Sequence, residues 1–293
     1  CAHLYQRQMC AGEWTDLDFN MIPGKALFAL LSQRGKDHMN AIERHNIENK
    51  YLAWIQKQPV AKFTGYPYEL YKAARNKNRT LIQRHTFNKQ FEGLIKKAKE
   101  SVPPELLAKG VLCALDTSGS MEGCYGRNGL PNGLEPIDIC VGLGIYFSSL
   151  LEGSFKDHVI MFDNTSRFLR LHGEFCDKCD QIPPNAMGGT NFQSVIDEIV
   201  RVRKSNPEIP VSDFPEVLLV VSDMQFNPTS DGGYWKARNY DGRDTNTNYE
   251  AAMRKLRAVG LPDMTIIWWQ VDGRFTGDVP STMNDPGTVL VSG

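Results

Sequence analysis

The chain has 293 residues, 41% of them hydrophobic and 23% charged, the proportions of an ordinary folded protein rather than a disordered one. No apolar run approaches the ~18 residues of a membrane span, so no membrane association is expected. The net charge of −1 hides a division: residues 1–109 carry 18 Lys and Arg against 10 Asp and Glu, and the remainder 15 against 24. A basic part suits nucleic acid or another polyanion, and an acidic part suits a cation.

Along the chain, Lys25–Gln33, Asp37–Lys57, Pro67–Asn76 and Arg79–Ser101 place apolar residues at i, i+3 and i+4 and are predicted to be helices. Pro23, Pro59, Pro67 and the pair Pro103-Pro104 punctuate them. Residues 1–108 therefore read as an α-helical, basic first domain, the end of a helical array. From Gly110 the pattern changes. Strands are predicted at Gly110–Asp116, His158–Phe162, Arg167–His172, Val217–Ser222, Thr265–Val271 and Thr288–Val291. Helices are predicted between them at Pro136–Leu151, Asn191–Lys204 and Tyr249–Val259. Apolar strands alternating with helices imply a mostly parallel sheet covered on both faces. Residues 109–293 are thus expected to form a doubly wound, Rossmann-like α/β domain.

Seven cysteines, an odd number without compact spacing, argue against a secreted disulfide framework and for a reducing compartment. An intracellular, cytoplasmic location is the corresponding expectation. Cys1 in place of Met, and strand-like residues running up to Gly293, are expected of a piece of a longer protein.

Ligands of such a sheet bind beyond the carboxyl ends of its strands. Three loops at those ends carry short oxygen side chains: Asp116-Thr-Ser118-Gly-Ser120, Gly188-Gly-Thr190, and Ser222-Asp223. Hydroxyls of Ser118, Ser120 and Thr190 can reach a hard cation directly, while Asp116 and Asp223 supply negative charge, in part through water. Mg²⁺ is the expected ion, with Mn²⁺ or Ca²⁺ as substitutes. A site with few direct carboxylates leaves the metal electrophilic, ready to accept an acidic group from a partner. Gly119, Gly188 and Gly189 are expected to permit the tight turns. The site is expected at the surface of the sheet, so that Asp116→Ala spares the fold. Ordinary turn chemistry and a vestigial site are the competing readings.

This three-loop pattern resembles the metal-ion-dependent adhesion site (MIDAS) of von Willebrand factor A-type domains. The phrases Leu112–Met121 (LCALDTSGSM), Gly188–Ile196 (GGTNFQSVI), Val221–Phe226 (VSDMQF) and Pro286–Gly293 (PGTVLVSG), with Gly65–Ala74 (GYPYELYKAA) before them, resemble an uncharacterised family related to Ro/TROVE proteins. That resemblance implies a helical, TROVE-like segment preceding the A domain, and a small or structured RNA as partner in a ribonucleoprotein.

Arg75, Lys77, Arg79, Arg84, His85, Lys89, Lys96, Lys97 and Lys99 form the most basic stretch, interrupted by Glu92 and Glu100. Phosphate contact by these cations and a solvated helix surface are both open readings; the implied kinship favours RNA, with Arg75, Lys77, Arg79, Arg84, Lys89, Lys96 and Lys97 as the candidate contacts. Tyr66, Tyr68 and Tyr71 can stack on bases, but at helical spacing they are expected in the core. Cys176-x-x-Cys179 is half of a zinc site without a second half, and reads as free loop cysteines. No nucleophile elbow, phosphate-binding loop or His-Glu-x-x-His occurs, so no enzyme is expected. The expected function is that of a non-enzymatic scaffold with a metal-dependent ligand site and an RNA-facing helical part. A protein-interaction or structural assembly subunit without RNA is the alternative.

Overall fold

The computed structural model describes residues 4–32, 38–122, 133–162, 165–183, 191–223, 248–271 and 287–292. These form helices α1 (Tyr5–Ala11), α2 (Gly24–Leu30), α3 (Ala41–Arg44), α4 (Glu48–Lys57), α5 (Pro67–Ala74) and α6 (Leu81–Ser101). There follow α7 (Pro104–Lys109), α8 (Pro136–Leu150), α9 (Phe175–Gln181), α10 (Phe192–Ser205) and α11 (Asn248–Arg257). The strands are β1 (Val111–Asp116), β2 (His158–Phe162), β3 (Ser166–Arg170), β4 (Val217–Ser222), β5 (Thr265–Gln270) and β6 (Thr288–Ser292). The chain divides into two compact units, Cys1–Ser101 with Gly173–Asp180, and Val102–His172 with Gln181–Gly293.

The first unit is helical. Pro67, Leu70, Tyr71 and Ala74 make the buried stripe of α5, and Ile82, Thr86 and Phe87 are buried on α6. Tyr51 of α4 is 0% exposed, shares a 3.0 Å hydrogen bond with the Thr86 hydroxyl, and receives the edge of Phe19 at 5.0 Å. The helix expected over Asp37–Lys57 is two helices among the described residues. Asn40 and Glu43 cap the start of α3 reciprocally, at 3.1 and 3.0 Å, and Asn46 breaks the run at a φ of 52°.

Residues 173–180 complete this unit from far downstream. Expected as loop, they are largely the helix α9. Phe175 stacks on Phe91 with ring centres 4.3 Å apart, and the Cys176 N–H donates to Asn88 Oδ1 at 2.9 Å. An amphipathic turn this short has too little periodicity to stand out from its neighbours; its helicity comes from the apolar side chains it buries on α6.

The second unit is a six-stranded sheet of order β3-β2-β1-β4-β5-β6. All pairings are parallel except β2 with β3, where Ile160 faces Phe168 in an antiparallel hairpin. The strand expected over Arg167–His172 runs Ser166–Arg170 and is the return arm of a hairpin: the link from Phe162 to Ser166 is too short for a crossover. Alternate residues of the central strands serve two cores. Leu112, Ala114, Leu218, Val220 and Trp268 pack with Phe192, Val195 and Ile196 of α10 and with Ala252, Met253 and Leu256 of α11. Leu115 points the other way, toward α8, where a Cβ on Gly144 would come within 2.5 Å of Leu115 Cδ2. The sheet is of the doubly wound, mostly parallel α/β class expected.

Candidate metal centre

Parallel pairing sets Leu115 of β1 opposite Val221 of β4, so the next residues, Asp116 and Ser222, end neighbouring central strands side by side. The Ser222 hydroxyl donates to Asp116 Oδ2 at 2.6 Å, and the Ser118 N–H donates to Oδ1 at 3.0 Å. Asp116, Ser222 and Asp223 are all 0% exposed. Burial pushes the Asp116 carboxyl up to about 6; the hydrogen bonds from Ser222 and Ser118 oppose this, and the charge of Asp223 adds to it.

Beyond the strand, Ser118 Oγ and Ser120 Oγ lie 3.1 Å apart, the latter in a single 3₁₀ turn over Gly119–Met121. Met121 is fully buried beneath that turn and anchors it. Below the loops, Cys140 of α8 directs its thiol at the carbonyls of Asp116 and Val221, at 3.5 and 3.4 Å, tying both strand ends to one helix. Its surroundings, burial first, raise the thiol well above its ordinary range, so it acts as a neutral donor.

Asp116, Ser118 and Ser120 are thus joined in one hydrogen-bonded group with Ser222, and Asp223 is coupled to it through charge. Thr190, with Gly188 and Gly189, lies outside the described residues; α10 begins directly after, at Phe192, with Asn191 as its N-cap. Two expectations are corrected. Gly119 has no left-handed backbone, and a Cβ there would meet nothing within 4 Å, so glycine is not required at that turn. Asp116 is not a surface residue: it ends a strand flanked by β2 and β4 and is wholly enclosed. Ser222 was named in the third oxygen-bearing loop but given no role in the site, and Cys140 was not singled out, since it reads as one apolar position of a buried helix.

The donor set suits a hard divalent cation. Two carboxylates, Asp116 and Asp223, lie within electrostatic reach of each other, and the Ser118 and Ser120 hydroxyls lie alongside, an all-oxygen set of the kind hard cations take. Among the described residues no three His, Cys, Asp or Glu side chains converge, so the oxygens available are hydroxyls and two carboxylates.

The basic stretch is largely occupied by its own protein. The Arg79 side chain, 6% exposed, bonds the carbonyls of Ala74 and Asn76 at the end of α5 and pairs with Asp180. Arg84 pairs with Asp177, Lys89 with Glu92 at 3.3 Å, and Lys96 with Glu100 at 3.9 Å. Lys77 and Lys97 are exposed, and Arg75 is partly exposed at the end of α5. Four of the seven candidate contacts are thus ion-paired within the same unit.

The tyrosines divide. Tyr71 is buried, as expected, but Tyr66 is 63% exposed and stacks on Tyr68 with centres 5.1 Å apart and planes 12° from parallel. Cys176 and Cys179 are free and buried in α9. Burial pushes the Cys176 thiol up to about 12 and Cys179 well above its ordinary value, the opposite of what a thiolate ligand or nucleophile needs.

A family model described as Domain of unknown function (DUF7788) matches residues 111–293. An uncharacterized protein of Acanthamoeba polyphaga mimivirus, L728, is 22% identical over 298 residues, spanning 97% of this chain and 46% of the viral protein. The chain thus spans about half the length of that curated relative. The crystal structure of the Deinococcus radiodurans RO (RSR) protein aligns at a TM-score of 0.47 with 14% identity, over 94% of this chain and 53% of that one.

Proposed function

The chain belongs to the DUF7788 family, and we propose that it is a non-enzymatic scaffold whose α/β unit captures an acidic group of a partner through a bound divalent cation. The observation that carries this reading is the buried group Asp116–Ser222–Ser118–Ser120 beside Asp223, at the carboxyl ends of two central strands. Ser118 and Ser120 would hold the ion directly, with Thr190 completing the set, and Asp116 and Asp223 would balance its charge. Mg²⁺ is the ion that fits, with Mn²⁺ or Ca²⁺ able to replace it. The cation supplies an electrophilic position for a carboxylate. The residues around it do the rest: Ser222 and the Ser118 N–H fix the Asp116 carboxylate, and Cys140 fixes the spacing of the two strand ends.

Nucleic acid is the proposed partner of the helical unit, supported by the excess of cations in residues 1–109 and by the exposed stack of Tyr66 on Tyr68. Its candidate contacts shift away from Arg79 and Arg84, which their own acids engage.

Titration of the intact protein with Mn²⁺, followed by electron paramagnetic resonance, tests the metal reading, with Mg²⁺ as competitor. One ion bound and displaced by Mg²⁺, together with loss of binding in Ser120→Ala and Asp223→Asn, is expected. Absence of binding at millimolar Mn²⁺ would make the group a structural relic.

A further inference from the structure

At the end of the sheet opposite the candidate metal centre lies an open cavity of about 480 Å³, within the ~300–1,000 Å³ typical of ligand sites. We propose that it is a docking site for a segment of a protein partner that inserts an arginine between apolar neighbours, with Asp213 as the receiving carboxylate. The inference goes beyond the ion-dependent reading and stands whether or not an ion binds beside Asp116.

The cavity is built where the chain enters two parallel strands. Val111 of β1 pairs with Val217 of β4, so the residues leading into both arrive together, the length of β1, roughly 20 Å, from Asp116. Leu107 and Ala108 of α7 form one wall, Leu151 and Gly153 of the turn after α8 a second, and Phe214 and Pro215 a third. Two left-handed glycines let the walls close. At Gly110, with φ 64°, a Cβ would stand 3.0 Å from Leu151 Cδ2; at Gly153, with φ 63°, one would stand 3.2 Å from Asp213 Oδ2. The third wall is fixed from behind. Phe214 packs on Phe155 with ring centres 4.8 Å apart, and the Glu216 N–H donates to the Lys109 carbonyl at 2.8 Å.

The polar groups of the lining select the occupant. Asp213 ends the 3₁₀ turn Val211–Asp213 and accepts one side-chain hydrogen bond, from the neutral Ser154 hydroxyl at 2.8 Å. Among the described residues no cation pairs with it, so its charge is unbalanced. Glu152 adds a second carboxylate to the lining, and the single cation there, Lys109, reaches Glu216 at 3.6 Å. An anionic occupant would meet two like charges, and a wholly apolar one would strip water from Asp213 and give nothing back. A cation on an aliphatic stem avoids both penalties: the stem lies along Leu107 and Leu151, and a planar guanidinium offers Asp213 paired donors. The space is about three times the ~150 Å³ that takes a benzene ring, so residues flanking the arginine fit as well. Leu106 and Val211 each adjoin a lining residue in the chain and are 56% and 37% exposed, which suits the apolar flanks of a protein segment better than a small free amine.

The test is fluorescence anisotropy of the full chain with two heptapeptides carrying an uncharged dye, identical except for arginine or glutamate at the centre between two leucines. At protein concentrations up to about 1 mM, the arginine peptide should bind and the glutamate peptide should not. Asp213→Asn keeps an acceptor for Ser154 and should weaken the arginine peptide about tenfold. Ala108→Trp, at an exposed lining position, should abolish its binding by filling the cavity. Both variants should keep the wild-type thermal unfolding curve, which separates loss of the site from loss of the fold. Failure of the arginine peptide to bind, equal binding of the glutamate peptide, or unchanged affinity in Asp213→Asn would each overturn the proposal. Self-association of the chain that Ala108→Trp abolishes, with neither peptide bound, would assign the cavity to a second copy instead.

Discussion

The hydroxyl of Ser222 on β4 reaches across to the carboxylate of Asp116 on β1, 2.6 Å away and entirely out of solvent. Two adjacent central strands are thereby locked together at the ends where ligands of this fold class bind, and Asp223 follows immediately with a second negative charge.

If Asp116 serves the proposed ion, stability and ion binding are opposed there. Asp116→Asn keeps a polar group for the Ser222 and Ser118 contacts but removes a charge that burial disfavours, and with it the repulsion from Asp223. In chelator at pH 7, this variant should unfold later than the wild type, by on the order of 1–2 kcal/mol, because burial first, and the charge of Asp223 second, disfavour the ionised carboxyl. On the proposed metal reading, Mg²⁺ should raise the melting temperature of the wild type and not that of Asp116→Asn. A variant destabilised in chelator would show that the negative charge itself supports the fold.

Glu198 on α10 gives the sheet edge an acid limit. Its carboxylate accepts the Phe168 N–H of β3 at 3.0 Å and two bonds from Arg201 at 2.6 and 2.7 Å. The Arg201 contacts, foremost, hold the carboxyl below the usual range. A depressed folded value means the stabilisation is present above the unfolded value, ~4.3, and is lost as pH falls through the folded one. Glu198→Gln should cost about 1 kcal/mol at pH 7, a modest figure because Arg201 is largely in solvent, and should flatten the fall in stability below about pH 4. Urea unfolding at pH 7, 5 and 3.5 measures both effects.

Gly93 should behave against helix propensity. Alanine within an exposed helix is worth up to ~1 kcal/mol over glycine. Here a Cβ would stand 2.7 Å from the carbonyl oxygen of Ala61, a backbone atom held in place by the Ala61 N–H to Lys89 carbonyl bond of 2.9 Å. Gly93→Ala is therefore expected to destabilise the helical unit by about 1–3 kcal/mol, read from its thermal unfolding.

Asn88 and Arg84 both join α6 to the segment 173–180, but they should contribute unequally. Asn88 is 2% exposed and receives the Cys176 N–H while donating to Glu174. Asn88→Ala strands a buried backbone donor and should cost about 1–3 kcal/mol. Arg84 and Asp177 are each 38% exposed, and Arg84→Ala should cost under ~1 kcal/mol in chemical denaturation. Equal costs would mean the ion pair is better sheltered than its exposure indicates.

The strand and helix pattern after Gly110 was readable because continuous apolar runs such as Val217–Val221 have few other homes than a sheet covered on both faces. Two of the three oxygen-bearing loops could be read as neighbours because parallel pairing of β1 with β4 sets Asp116 and Ser222 side by side; the third, with Thr190, lies outside the described residues. What escaped depends on partners distant in the chain. Ser222 gains its role from Asp116, 106 positions away, and α9 gains its helicity from Phe91 and Asn88. Tyr66 was misplaced because helical spacing was applied through Pro67, whereas the buried stripe starts at that proline and leaves the residue before it outside. The basic stretch looked like an anion site because its acids, Asp177 and Asp180, stand about a hundred positions later.

That separation also has a timetable. Asp177 follows Arg84 by 93 positions, and synthesis adds ~5–20 residues each second. On the ribosome, the helical unit therefore waits roughly five to twenty seconds for the short acidic segment that closes it. During that interval Arg79 and Arg84 emerge without their carboxylates, next to the RNA of the ribosome itself, and the finished unit is sealed only when residue 180 has cleared the tunnel.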